Sequence, residues 1–171
     1  MDPNVAYYKI TNEKEIHNGY AYHDGLNILT EPFAETGSCV KGGFYFTTIE
    51  FIHKFFDYGV HLREISLPTT NPNFRMIKDP DGDKWRSNMI IFGKKHFLNE
   101  VSTYKFLIEN GFCSHANGYY VLSWSAGNGY LEVVKFLVES GADIHADNDY
   151  ALRWSSANNH LAVVEFLKTQ H

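Results

Sequence analysis

Only two cysteines, Cys39 and Cys113, occur in the 171 residues, far apart and without C-x-x-C spacing. The start Met1-Asp2-Pro3-Asn4 carries neither a basic nor an apolar leader. Both deficits predict an intracellular protein of a reducing compartment. No stretch approaches the roughly 18 consecutive apolar residues that cross a bilayer, so no membrane partner is expected. Basic charge is scarce too: 15 Lys and Arg stand against 20 Asp and Glu, a net charge of −5. With no basic cluster denser than Gly93-Lys94-Lys95-His96, nucleic acid is not an expected partner. The nine histidines are scattered outside any zinc pattern, and neither a metal nor a cofactor is predicted. What the chain does have is apolar and aromatic side chain, 44 % and 16 % of residues, enough for one compact unit or two small ones.

The last third repeats itself. A shift of thirty places lays Leu122, Trp124, Asn128, Leu131, Val133, Val134, Phe136 and Leu137 onto Leu152, Trp154, Asn158, Leu161, Val163, Val164, Phe166 and Leu167. The same shift carries Gly111 onto Gly141 and residues 105–109 onto 135–139. A fixed period of this size marks a repeat array, beginning near Val101. Leu131, Val134, Leu137 and Val138 fall on one face of a helix, and Leu161, Val164 and Leu167 repeat the stripe. A shorter helix precedes each, through 122–126 and 152–156, with Asn128-Gly129 and Asn158-Asn159 supplying the left-handed turn between the two. Trp124 and Trp154 are expected to stack between neighbouring units rather than to act as binding hot spots.

The run from Gly129 to Ala146, GYLEVVKFLVESGADIHA, resembles the ankyrin repeat almost residue for residue. The family's T-P-L-H-x-A block is represented by Tyr120-Val121-Leu122-Ser123-Trp124-Ser125 and Tyr150-Ala151-Leu152-Arg153-Trp154-Ser155, without the Thr-Pro start or the His. The unit is shorter than the family's usual length of about 33 residues, and the deletion falls between Ala146 and Tyr150, in the β-turn finger. Short fingers are therefore expected. The resemblance implies a protein partner bound through finger tips and the inner face of the first helices. By position these contacts are Asn117, Tyr119, Gly127, Asn128, Asp147, Asp149, Ala157 and Asn158. It also implies that the terminal unit, reaching His171 without a polar cap, exposes an apolar end face open to self-association.

Residues 1–97 lack the period and read as a separate, aromatic-rich α+β domain. The all-α stack of 30-residue units then covers 98–171, as a partial unit at about 98–110 followed by 111–140 and 141–171. Strands are predicted at 7–10, 43–46, 61–67 and 89–92, with punctuation at Gly42, Pro68 and Gly93. Thr47 and Glu50 form a capping-box pattern for a helix with Ile49, Ile52, Phe55 and Phe56 on its apolar face and Gly59 as its stop. His53 and Asp57 read as surface decoration of that helix. Asp79-Pro80-Asp81-Gly82-Asp83 reads as a tight turn, since a calcium loop needs its glycine sixth and an acid twelfth, where Gly82 is fourth and Ile90 twelfth.

Two further resemblances bear on function. Tyr7-Tyr8-Lys9-Ile10-Thr11, then residues 42–47 and Leu62-Arg63-Glu64-Ile65, look like the strand order of ADP-ribosyltransferases. That likeness would give Tyr45 a stacking role on nicotinamide, yet Lys9 stands where the family has a ribose-binding histidine, and no late-strand glutamate suggests itself. A pocket with polar groups converging around Tyr45, His23 and Glu64 would favour catalysis, and a filled aromatic core would favour scaffolding. Taken along nearly its whole length, with residues 22–29, 42–48 and 78–86 leading into the repeats, the chain resembles the ankyrin-repeat proteins of mimivirus-like giant viruses. This implies a virus-encoded protein acting in the cytoplasm of an infected amoebal cell. The expected function is a non-enzymatic scaffold that binds a protein through an ankyrin groove. The alternative is a small enzyme with an ADP-ribosyltransferase-like N-terminal domain and an ankyrin targeting arm.

Overall fold

A computed structural model describes residues 5–112 and 114–170, with the side chains of all of these except 114–118. The chain divides into two compact units, Met1–Phe97 and Leu98–His171.

The first unit is β-rich. Its strands are β1 (Tyr7–Thr11), β2 (Ile16–His17), β3 (Tyr20–Ala21), β4 (Gly25–Ile28), β5 (Phe44–Thr48), β6 (His61–Ser66), β7 (Met76–Lys78), β8 (Trp85–Ser87) and β9 (Met89–Phe97). Seven of them form an antiparallel sheet in the order β4-β9-β6-β1-β5-β8-β7, while β2 and β3 pair as a small hairpin. Strand β1 lies mid-sheet and is buried at all five positions, which is why its sequence shows no polar alternation. Tyr7, Tyr22, Phe44, Phe46, Ile65, Ile90 and Phe92 form the core, with edge-on packing such as Tyr7 against Phe46 at 5.1 Å.

Gly93 does not end its strand. Between the pairs Arg63↔Lys95 and Ile65↔Phe92 the register slips: β9 carries one residue more than β6, so a bulge lets it continue to Phe97. The capping-box helix is also corrected. Thr47 belongs to β5, and its hydroxyl donates to the Asp83 carbonyl. The helix is a 3-10 segment, Ile52–Tyr58, entered through Phe51 without a side-chain cap. Ile52 and Phe56 are its buried residues, and the segment contacts β1. Gly59 follows as a close-approach position, since a Cβ there would meet the Thr11 carbonyl oxygen at 2.1 Å.

The second unit holds α1 (Val101–Glu109), α2 (Ser114–Gly127), α3 (Leu131–Glu139), α4 (Ala146–Ala157) and α5 (Leu161–Thr169). Helices α2 and α3 form one hairpin, α4 and α5 the next; α2 packs on α4, and α3 lies between α1 and α5. The buried stripes are Val133, Val134 and Leu137, then Val163, Val164 and Leu167. Leu131 and Leu161 drop out of the expected stripe: at 100° per residue each lies roughly 115° from the centre of the buried face, and Leu161 is 70 % exposed.

Candidate functional site

Two regions carry chemistry, one in each unit. In the second, the segment joining α3 to the regular part of α4 has no β finger. Asp147, Asn148 and Asp149 instead take three successive left-handed conformations, φ 52°, 55° and 57°. Asp and Asn tolerate this region better than other non-glycine residues, but a run of three needs external support. Arg153 gives it: Nε donates to the Asn148 carbonyl at 2.9 Å and Nη2 to the Asp147 carbonyl at 2.9 Å. On the other side, His145 Nδ1 donates to the Asp149 carboxylate at 2.8 Å. The guanidinium also lies over the Tyr150 ring, 5.3 Å from its centroid. The result is a short, clamped tip with the Asp147 side chain in solvent.

The positions predicted to meet a partner are distributed around this tip and the turns. Tyr119, Asn128, Asp147, Ala157 and Asn158 are exposed and Asp149 is half-exposed; the side chain of Asn117 lies outside the described residues. Asn128 and Asn158 also have an internal task, each donating its amide to the carbonyl four residues back, Trp124 at 2.8 Å and Trp154 at 3.0 Å. Asn110 does the same to Phe106 in α1. Each of these carbonyls also accepts the backbone amide of the same asparagine at 3.1 Å, so the side chain adds a second donor at the end of the helix. Gly127 is engaged inside the stack: a Cβ there would come within 2.5 Å of the Trp154 indole, and its carbonyl accepts from His160 Nε2 at 2.9 Å. Trp124 is buried and Trp154 half-buried.

In the first unit, β1 and β5 pair only at Tyr7↔Thr48 and Tyr8↔Thr47. Beyond these pairs the strands separate and leave a cavity of about 340 Å3, lined among others by Lys9, Tyr45, Phe55, Tyr58, Cys39 and Lys84. Lys9 Nζ spans the gap to donate to the Tyr45 carbonyl at 2.7 Å. Burial pulls its amine down to about 8. The Tyr45 hydroxyl is already committed: Arg86 donates to it at 2.6 Å, and it bonds the Val40 backbone at 2.9 Å. His23 and Glu64 do not line this cavity. The His23 ring bonds the Asp24 carbonyl, and Glu64 pairs with His96, so the three residues whose convergence would have marked catalysis are not gathered.

Below the cavity, residues 79–84 close a turn in which the Gly82 amide donates to the Asp79 carbonyl at 2.9 Å. The Lys84 ammonium sits among three carboxylates, 3.4 Å from Asp79, 2.9 Å from Asp81 and 3.6 Å from Asp83. Sequence spacing alone gave no hint of this internal ammonium. Burial would lower the Lys84 amine, but the Asp81 hydrogen bond and the Asp79 and Asp83 charges hold it above its ordinary value. Among the described residues, no group of three His, Cys, Asp or Glu is arranged to hold a metal, and no helix is long and apolar enough to cross a membrane.

A family model described as Ankyrin repeats matches residues 93–171 in three copies. The chain is 45 % identical over 130 residues to "Putative ankyrin repeat protein R868" of Acanthamoeba polyphaga mimivirus, an alignment covering 75 % of this chain and 64 % of that one. It is 44 % identical over 130 residues to "Uncharacterized protein R869" of the same virus, covering 75 % and 94 %. It is 41 % identical over 140 residues to "Putative ankyrin repeat protein R229", also of that virus, covering 75 % and 46 %. The chain thus spans nearly all of one relative and about half to two thirds of the other two. No solved structure matches.

Proposed function

The chain belongs to the ankyrin-repeat family, and on that premise we propose that it is a non-enzymatic interaction module of a giant virus, holding a protein partner on its repeat unit in the cytoplasm of the infected cell. The observation that carries this reading is the clamped acidic tip at 147–149. Arg153 holds its backbone and His145 holds the Asp149 carboxylate before any partner arrives, so association need not order a loop. Tyr119, Asn128, Ala157 and Asn158 extend the contact from the tip along the helix ends, with Asn117 joining by position. Gly127 contributes shape, by admitting the Trp154 ring. Two aspartates at the tip of a chain of net charge −5 favour a basic surface on the partner, and this charge match acts on selectivity and association rate.

The test is capture from lysate of infected amoebae, comparing the wild-type chain with Asp147→Lys/Asp149→Lys. Proteins held by the wild type and lost from the double variant support the reading. An identical captured set would overturn it.

A further inference from the structure

The cavity between β1 and β5 has a lining whose chemistry opposes that of the chain. The whole sequence is acidic, at −5, yet Lys9, Lys41, Lys84 and His17 line the cavity and, among the described residues, no Asp or Glu does. Lys84 is neutralised from behind by its three aspartates, and Lys41 is exposed at the rim. Lys9 differs from both. Only 7 % exposed, it has no carboxylate partner among the described residues. Its contacts are the Tyr45 carbonyl and the face of Tyr22, 5.3 Å from the ring centroid.

A buried cation that a fold leaves without a counter-charge is costly, and here it borders open space. The Lys9 charge is felt across that space: burial and Lys9 together hold the His17 ring below its ordinary value. The remaining walls include the rings of Tyr8, Phe55 and Tyr58, beside Ile10, Val40 and Thr47. We propose that this cavity is a binding site for a small aromatic monocarboxylate, with the ligand's carboxylate on Lys9 Nζ and its ring between Tyr8, Phe55 and Tyr58. Size agrees, since about 340 Å3 falls within the range of small-molecule sites and admits a two-ring acid. Donor number agrees as well. An ammonium has three N–H groups; one is engaged by Tyr45, and the other two serve a singly charged anion better than a phosphate dianion, which calls for more donors and more charge.

The probes are 1-naphthoate and its uncharged isostere 1-naphthamide, titrated into the full chain by calorimetry. The wild type should bind naphthoate at one site and at least tenfold more tightly than naphthamide. Lys9→Met should remove that preference, leaving naphthamide binding as it was. Tyr58→Ser, a change at an exposed residue of the 3-10 segment, should weaken both probes by threefold or more; this variant carries the test if Lys9→Met fails to fold. Equal affinity of the wild type for the two probes, absence of saturable binding, or unchanged binding by Tyr58→Ser would each overturn the proposal.

Discussion

At the scale of single residues, two positions show how a local requirement can be hidden in sequence. Gly127 reads by family position as a partner contact, yet it is packed against the indole of the next unit. Gly127→Ala should therefore overpack the Gly127–Trp154 contact and destabilise the repeat unit by about 1–3 kcal/mol, measured by urea unfolding followed through Trp fluorescence. Lys84 is the second. Its charge was legible, but its position inside an acidic turn was not, because the three carboxylates gather only when the turn closes. Lys84→Met strands the buried Asp79 carboxylate and should destabilise the first unit by on the order of 3 kcal/mol.

The pH dependence of that effect has a definite sign. Asp79 is held below the ordinary carboxylate value; burial opposes this, but the Ser38 hydroxyl, the Asp81 amide and Lys84 outweigh it. Asp81 is lowered chiefly by its hydrogen bond from Lys84 and then by Ser38. Groups depressed in the folded state contribute stability that is complete above the unfolded value and is lost as pH falls through the folded one. The stability gap between wild type and Lys84→Met should thus be constant down to about pH 4 and narrow below it, as read from thermal melts across pH. A gap that widens on acidification would contradict the assignment.

At the scale of elements, legibility followed the length of the pattern. The thirty-residue self-match identified both helix hairpins, and the turns at Gly129 and Asn159 do take positive φ, 74° and 60°. Longer strands were legible too: β1, β5 and the start of β9 coincide with aromatic or β-branched runs, and β6 with a short run closed by Pro68. The two- and three-residue strands β2, β3, β7 and β8, and the four-residue β4, did not, since pairing partners rather than their own composition define such short strands. The capping-box signal at Thr47 and Glu50 failed because β5 claims Thr47 for sheet pairing, a tertiary demand that outweighs a local cap. In the repeat unit, the left-handed backbone of residues 147–149 had no sequence signal. Arg153→Ala removes two hydrogen bonds from that backbone and should raise amide exchange at residues 147–150 without moving the exchange of α5. Unchanged exchange at 147–150 would show that the guanidinium does not clamp the tip.

At the scale of the molecule, an aromatic, aperiodic stretch gives way to a periodic one near residue 98, and the structure divides into Met1–Phe97 and Leu98–His171. The candidate contact surface was legible only in part. Family position pointed to the loop ends, but the bonds that Asn128 and Asn158 make to their own helix ends follow from local geometry, and the absorption of Gly127 into the stack from packing between units. The β1–β5 cavity had no sequence signal, because it arises where two strands stop pairing.

The central claim is that the repeat unit, through its clamped tip and neighbouring turns, is the surface that holds a partner. Site-specific photo-crosslinking addresses it directly, with a benzoylphenylalanine placed in turn at Asp149, at Asn158 and at Glu13, an exposed residue of the first unit. In lysate of infected amoebae the account predicts a protein adduct of one defined mass from positions 149 and 158 and none from position 13; adducts from position 13 alone would contradict it.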